Sequence, residues 1–345
     1  MEAMAWRDVE PGRRTHYRVP LGTLVNGLPL FTTFHVVKGV EEGPVLGLVS
    51  NSRGIGHLSV EQVRTVVASL DPRSMRGSLI ACPVANPMAF EHRTLTTPVD
   101  EINMNRVFPG TPPQELGGRY AGGLTELMAH HVARQVIDPC DVLIDLHLLS
   151  DHLALETIDL PAQAEGSSRE RIRQLACLFG TTLHEWELQE GSAVTYALSR
   201  GKLGFGVEIG SGGWGEVRSA RWVSQVARGV RGVMQVLGML PGEPEWPEAT
   251  TVITSRVGIR PRHGGYHVPE VGVDDLGHTV EAGRVLGRIY DTQTFELLEE
   301  LNSPYRGILY VIRAYGPTQP GDWAYVVGEE RTAWRYVPKR SARSR

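Results

Sequence analysis

Short, wholly apolar runs alternate with amphipathic stretches through the first two-thirds of the chain, and this alternation constrains the fold most. Pro44-Val-Leu-Gly-Leu-Val-Ser50 reads as a buried strand, and an amphipathic helix follows from about Leu58 to Leu70. Gly77-Ser-Leu-Ile-Ala-Cys-Pro83 is the next strand. A stretch rich in Leu, Met and Ala (Gly123 to Val136) predicts a helix leading into the strand Asp141-Val-Leu-Ile-Asp-Leu-His147. Strands without polar alternation are buried on both faces, so the pattern predicts an α/β layered domain with helices on each side of its sheet. Functional residues of such a domain gather in loops at the strand C-terminal ends. The segments 50–57, 147–152 and 208–215 occupy such ends.

The pattern changes after Leu240-Pro-Gly-Glu-Pro-Glu-Trp-Pro247, whose three prolines mark a linker. Beyond it lie short strands punctuated by Gly: Gly283 to Tyr290, Gly307 to Ile312 and Trp323 to Val327. The expected organisation is an α/β domain over 1–240, a linker over 241–250 and a smaller all-β domain over 251–337. A basic tail over 338–345 is expected to be disordered.

At 345 residues the chain has room for two domains, and 41% hydrophobic with 21% charged residues is ordinary for a globular protein. A formal net charge of −4 gives no global reason to expect nucleic acid or an anionic membrane as partner. The apolar runs are strand-sized, no membrane span is predicted, and the N-terminus lacks the apolar core of a secretion signal. Cys82, Cys140 and Cys177 are widely spaced and odd in number, which fits a reducing cytoplasm better than a disulfide framework. An oligomer is compatible with the composition.

Four segments together carry a family resemblance. They are Val49-Ser-Asn-Ser-Arg-Gly-Ile-Gly56; Asn86-Pro-Met-Ala-Phe90 continuing through Arg93 to Asn103-Met-Asn-Arg-Val-Phe-Pro-Gly110; Asp145-Leu-His147; and Gly206-Val-Glu-Ile-Gly210. In this order they resemble the HGxE, NP…R…DLNRxFPG, DLH and late-Glu segments of the aspartoacylase/succinylglutamate desuccinylase family. The Gly-x-x-Leu-Gly-x-Ile run from Gly283 and Ser303-Pro-Tyr-Arg-Gly-Ile308 resemble that family's C-terminal domain. The resemblance covers nearly the whole chain. It implies a zinc-carboxypeptidase-like three-layer αβα domain with a mixed sheet, and a smaller C-terminal all-β domain.

The resemblance also exposes a departure. A catalytic zinc takes three protein ligands and keeps one position open for water, and the family supplies His and Glu from HGxE and a second His from the DLH strand end. Aligned without a gap, the family's first two ligands fall on Arg53 and Gly56, and only His147 stands at a ligand position. Arg does not give up its proton to bind a metal, and Gly has no side chain. His57 and Glu61, at i and i+4, are candidates for shifted ligands, as are His152 and Asp151 in the loop after His147. The expectation is an altered or absent metal site and no cofactor, with zinc left as an alternative.

By the same resemblance Glu208 is the general base, and a lone Glu in an apolar strand otherwise lacks a reason. Asn105 and Arg106 correspond to the pair that clamps a substrate carboxylate, and Arg93 to a second substrate arginine. Asn103 stands where the family has Asp, and Asp145 is expected to orient a neighbouring group. Arg53, with its fixed charge, and His147 complete the expected catalytic set. Three readings stay open: a metal-free or metal-altered enzyme acting by hydrolysis or acyl transfer on an amide or ester of a small anionic, amino-acid-like substrate; a zinc amidohydrolase with shifted ligands; and an inactive homologue binding a small carboxylate or a protein partner.

Overall fold

The computed structural model describes residues 6–111, 123–149, 152–211 and 216–339, with side chains of 216–218 excepted. The first part contains strands β1 (Arg13–Thr23), β2 (Pro29–Lys38), β3 (Glu41–Ser50), β4 (Arg76–Cys82), β5 (Val142–Leu146), β6 (Leu153–Pro161), β7 (Thr182–Trp186) and β8 (Leu203–Gly210). Between and after them lie helices α1 (Leu58–Ser69), α2 (Pro87–His92), α3 (Leu124–Val132), α4 (Gly166–Ala176), α5 (Ala193–Ser199) and α6 (Glu216–Val236). The strand order β1-β2-β4-β3-β5-β8-β6 mixes directions: β4, β3, β5 and β8 run parallel, while β1, β2 and β6 are antiparallel to their neighbours in that order.

Residue parity sends each strand's side chains to two cores. Leu46, Leu48, Ile144, Leu146, Ile158, Phe205, Val207 and Ile209 join a core with residues of α1, α4 and α6. Val45, Val49 and Leu143 join a second core with residues of α3 and α5. This is the three-layer arrangement that strands without polar alternation require. The same parity fixes where the chemistry sits. Asp145 and His147 lie two apart beyond Leu143, Glu208 lies between Val207 and Ile209, and Asp159 lies between Ile158 and Leu160. All four therefore leave the sheet on the α5 side.

The C-terminal part contributes β9 (Thr250–Ile253), β10 (Arg256–Ile259), β11 (Gly265–Pro269), β12 (Thr279–Val280), β13 (Val285–Tyr290), β14 (Leu297–Asn302), β15 (Gly307–Arg313), β16 (Gly316–Thr318), β17 (Tyr325–Glu329) and β18 (Trp334–Tyr336). Strands β14-β13-β11-β16 form a separate antiparallel sheet. The others continue the main sheet, since β15 pairs with β6 (Val311↔Leu155) and β9 with β7. Hydrogen bonding thus crosses the boundary expected at 241–250, and the β region forms one wall of the site. Among the described residues no helix is long and apolar enough to cross a membrane. Cys82, Cys140 and Cys177 are free and buried, and burial raises each thiol's pKa.

Candidate active site

A cavity of about 740 Å³ opens where β3, β5 and β8 end and the C-terminal strands close over them. Its lining includes Arg53, Asn103, Asn105, Arg106, Asp145, His147, His152 and Glu208 from the expected set. Arg53 follows β3 in a tight loop. Gly54 lets that loop press on α2, where a Cβ would stand 1.9 Å from the Ala89 carbonyl oxygen. The loop aims Arg53 inward, and its Nη2 lies 3.6 Å from Glu208 Oε1, with both side chains almost nine-tenths buried.

Behind this pair stands a fixed imidazole. His147 Nε2–H donates to the Asp145 carboxylate at 2.5 Å, and Asn105 Nδ2 sits 3.2 Å from the same nitrogen. Asn105 cannot turn over, because its Oδ1 accepts the Ala193 backbone N–H at the start of α5. Asn103 in turn accepts the Asn105 backbone N–H, holding the short turn that carries Arg106. With Nε2 committed, Nδ1 is the ring nitrogen left for the cavity. Arg106, more than a third exposed, stands at the cavity edge, where partial burial and then the charge of nearby Arg53 lower its pKa.

Three expected residues lie elsewhere. Arg93 is exposed and ends α2 in a left-handed turn with φ 55°, so its position outside the cavity does not support a role in binding substrate. His57 packs edge-on against Phe90, and Glu61 is bound to Arg64 at 2.6 Å, an interaction that lowers its pKa. Neither lines the cavity. Asp151 lies outside the described residues.

Sequence reasoning missed the wall formed by β6, β7, β10 and β15. Asp159 is buried there, 3.9 Å from Arg256 Nη1. Arg256 lies 3.4 Å over the Trp186 ring and donates to the Tyr310 hydroxyl at 3.3 Å. Burial, with the Glu208 charge beside it, pushes Asp159 up to about 7, while Arg256, Trp186 and Arg53 act in the opposite direction. The Trp186 indole N–H exerts that pull by proximity, without a hydrogen bond of good geometry. An acid in an apolar strand was the available signal for Asp159, but Glu156 in the same strand carries the same signal for a structural reason. It accepts the Trp222 indole N–H at 2.7 Å on the opposite face.

Buried polar atoms are normally paired. Among the described residues nine buried side-chain atoms lack a protein partner, and five of these belong to cavity residues: Arg53 Nε, Asp145 Oδ1, Asp159 Oδ1, Trp186 Nε1 and Arg313 Nε. Their concentration around one space marks it as built for a polar ligand. The donor set does not match a zinc centre. Arg53 brings a fixed cation to the first ligand position, and a Cβ at Gly56 would already stand 3.2 Å from Asn51 Oδ1. Among the described residues no three His, Cys, Asp or Glu side chains gather as a metal site.

A three-layer domain whose parallel strand ends bring together a His, a buried Glu and an adjacent Asn and Arg, with a β region closing the cavity, is that of a carboxypeptidase-like enzyme. Comparison with known proteins makes this specific. The chain belongs to the succinylglutamate desuccinylase/aspartoacylase family, whose catalytic-domain model matches residues 58–237. An N-alpha-acetyl-L-2,4-diaminobutyric acid deacetylase from Halomonas elongata is 25% identical over 84% of this chain and 83% of its own length. A succinylglutamate desuccinylase/aspartoacylase from Rhodobacter sphaeroides shares the fold with a TM-score of 0.76 at 23% identity, covering 93% of this chain and 98% of that one. The product-bound ectoine utilization protein EutE (DoeB) from Ruegeria pomeroyi does so with a TM-score of 0.79 at 22% identity, over 93% and 98%. The family match begins five residues beyond Arg53.

Proposed function

We propose that the chain hydrolyses the acyl–nitrogen bond of a small N-acyl amino acid or similar carboxylate-bearing amide, without a resident zinc. The observation that carries this reading is the Arg53 guanidinium inside the cavity, 3.6 Å from Glu208 and with its Nε unpaired. The Halomonas relative, named for deacetylating an acetylated amino acid, supports the substrate class.

In this reading Glu208 takes a proton from water as the water attacks the acyl carbon. The carbonyl oxygen becomes an oxyanion against Arg53, whose fixed and largely buried charge is the kind of donor that stabilises such a state. His147, with Nε2–H given to Asp145, offers Nδ1 as an acceptor that orients the water or the substrate N–H. Arg106 binds the carboxylate of the amino-acid half at the cavity edge. Arg53 does not lower the pKa of water as a metal does, so the reaction leans on Glu208.

The test is a substrate screen of N-acetyl-L-2,4-diaminobutyrate, N-acetyl-L-aspartate, N-succinyl-L-glutamate and their ester isosteres, with and without EDTA, alongside elemental analysis. Turnover that is insensitive to EDTA, in protein holding far less than one zinc per chain, is the expected result. Activity lost to EDTA and restored by zinc would sink the metal-free mechanism. Absence of turnover across the panel would sink the deacylase reading.

A further inference from the structure

We propose that Asp159 is a second catalytic acid of this site, giving its proton to the leaving nitrogen while Glu208 acts as base. The inference rests on the deacylase reading above and adds a residue to it.

The geometry comes from strand register. In the antiparallel pair of β6 and β8, Thr157 lies opposite Glu208 and Asp159 opposite Gly206. Asp159 and Glu208 are therefore diagonal neighbours on one face, a relation that places Cβ atoms about 7 Å apart. That spacing leaves room for a scissile bond between two carboxyl groups. Both line the cavity, and the missing side chain at Gly206 keeps the space beside Asp159 open.

A purely structural acid would be tied down. Glu156, three residues earlier on the opposite face, shows that state by accepting the Trp222 indole N–H. Asp159 is not tied in this way. Its Oδ1 has no hydrogen-bond donor, and Arg256, the nearest cation, stays at 3.9 Å while it stacks on Trp186 and donates to Tyr310. Arg256 thus holds the acid's pKa down, which makes it a better proton donor, without occupying its oxygen.

The groups facing Asp159 from every neighbouring element set its state. Burial and then Glu208 on β8 favour the neutral acid; Arg256 on β10, Trp186 on β7 and Arg53 after β3 favour the anion. Tyr310 on β15 and His184 on β7 stay neutral, because burial raises the pKa of the first and lowers that of the second. Glu208 lies against Arg53, while burial and the neighbouring Glu208 raise Asp159 toward the neutral acid that the proposed step uses. The proton count then balances. Water adds to the acyl carbon and gives one proton to Glu208. The carbon–nitrogen bond breaks as Asp159 gives its proton to nitrogen. The products are a free carboxylic acid and an amine, and the proton on Glu208 passes through water to Asp159, restoring the start.

An amide nitrogen leaves only when protonated, whereas an ester oxygen leaves far more easily without help. The test compares an N-acetyl amino acid turned over in the screen with its 2-acetoxy ester isostere, in the unmodified protein and in Asp159→Asn. Amide kcat/KM in the variant should fall about 10²–10⁴-fold, the range of general acid catalysis, and ester kcat/KM should fall at least about tenfold less. In the unmodified protein, amide turnover should decline as pH rises through about 7 while ester turnover does not, a readout that needs no folded variant. Equal losses for both substrates, or amide turnover that holds level through that pH range, would overturn the assignment while leaving the deacylase reading standing. Hydrolysis of neither substrate by the unmodified protein would overturn both.

Discussion

Arg53 and Glu208 face each other at 3.6 Å as an ion pair without a hydrogen bond, each side chain almost nine-tenths buried. Such a pair has lost hydration without gaining ideal geometry, so a ligand supplying an oxygen to Arg53 and a water to Glu208 relieves both. Arg53→Ala should therefore lose about 2.7–4 kcal/mol of transition-state stabilisation, as removal of one oxyanion donor does, and Glu208→Gln should abolish turnover. Steady-state kinetics on the substrate found in the screen, set beside melting temperatures, checks this. If Arg53 only filled space and paired with Glu208, its removal would lower the melting temperature and spare the rate.

The layered fold was legible because each central strand is a continuous apolar run, and β3, β4 and β5 lie within a few residues of the predicted limits. The meeting of Arg53, Asn105, Arg106, His147 and Glu208 was legible only through motif order, since they are spread over 155 positions by their numbering. Arg93 is assigned by resemblance despite variable spacing before Asn103, and the left-handed turn ending α2 leaves it on the surface. Arg256, Tyr310 and Trp186 gave no signal. They reach the cavity through the long-range pairings of β15 with β6 and β9 with β7, and no local pattern announces such pairings.

Arg106 is a separate case from Arg53 because it stands at the cavity edge and is partly solvated. A charged hydrogen bond to a substrate carboxylate there should contribute about 1.5–3 kcal/mol, below the figure for a fully buried pair. Calorimetry on Arg106→Ala should show that loss for the free acid, and the unmodified protein should bind the carboxylate's methyl ester correspondingly weakly. Equal affinity for acid and ester would remove the clamp assignment.

Asp145 is 1% exposed, with Oδ2 on His147 Nε2 and Oδ1 unpaired. A buried carboxylate with one partner contributes little to folding, since its desolvation offsets most of the attraction. In the proposed reaction its role is to hold the imidazole so that Nδ1 faces the substrate. Asp145→Asn should keep a similar melting temperature yet lose roughly 10²-fold in kcat, within the range for acid–base groups. A large drop in stability with kcat unchanged would make Asp145 a packing residue instead.

Asp159 also leaves a mark on folding that is independent of any substrate. Burial, and then the neighbouring Glu208, raise its folded pKa from the ordinary 3.8 to about 7. Between those two values the folded chain binds a proton that the unfolded chain has released, so stability must fall as pH rises across that window. The contribution is fully present below pH 3.8 and fully lost above about 7. Surface carboxylates titrate over the lower part of the window and overlay this trend, so a single melting curve is ambiguous. The difference between proteins isolates it. Asp159→Asn removes the titration while leaving the other carboxyl groups in place, so its melting temperature should change less from pH 5 to pH 8 than that of the unmodified chain. Removing the partner of Arg256 shifts the variant's stability by a nearly constant amount over this range, because a guanidinium does not titrate there. The measurement is thermal unfolding followed by circular dichroism in one buffer series. Parallel pH dependences for the two proteins would show that Asp159 is ionised throughout, and would remove the protonated acid on which its catalytic role depends.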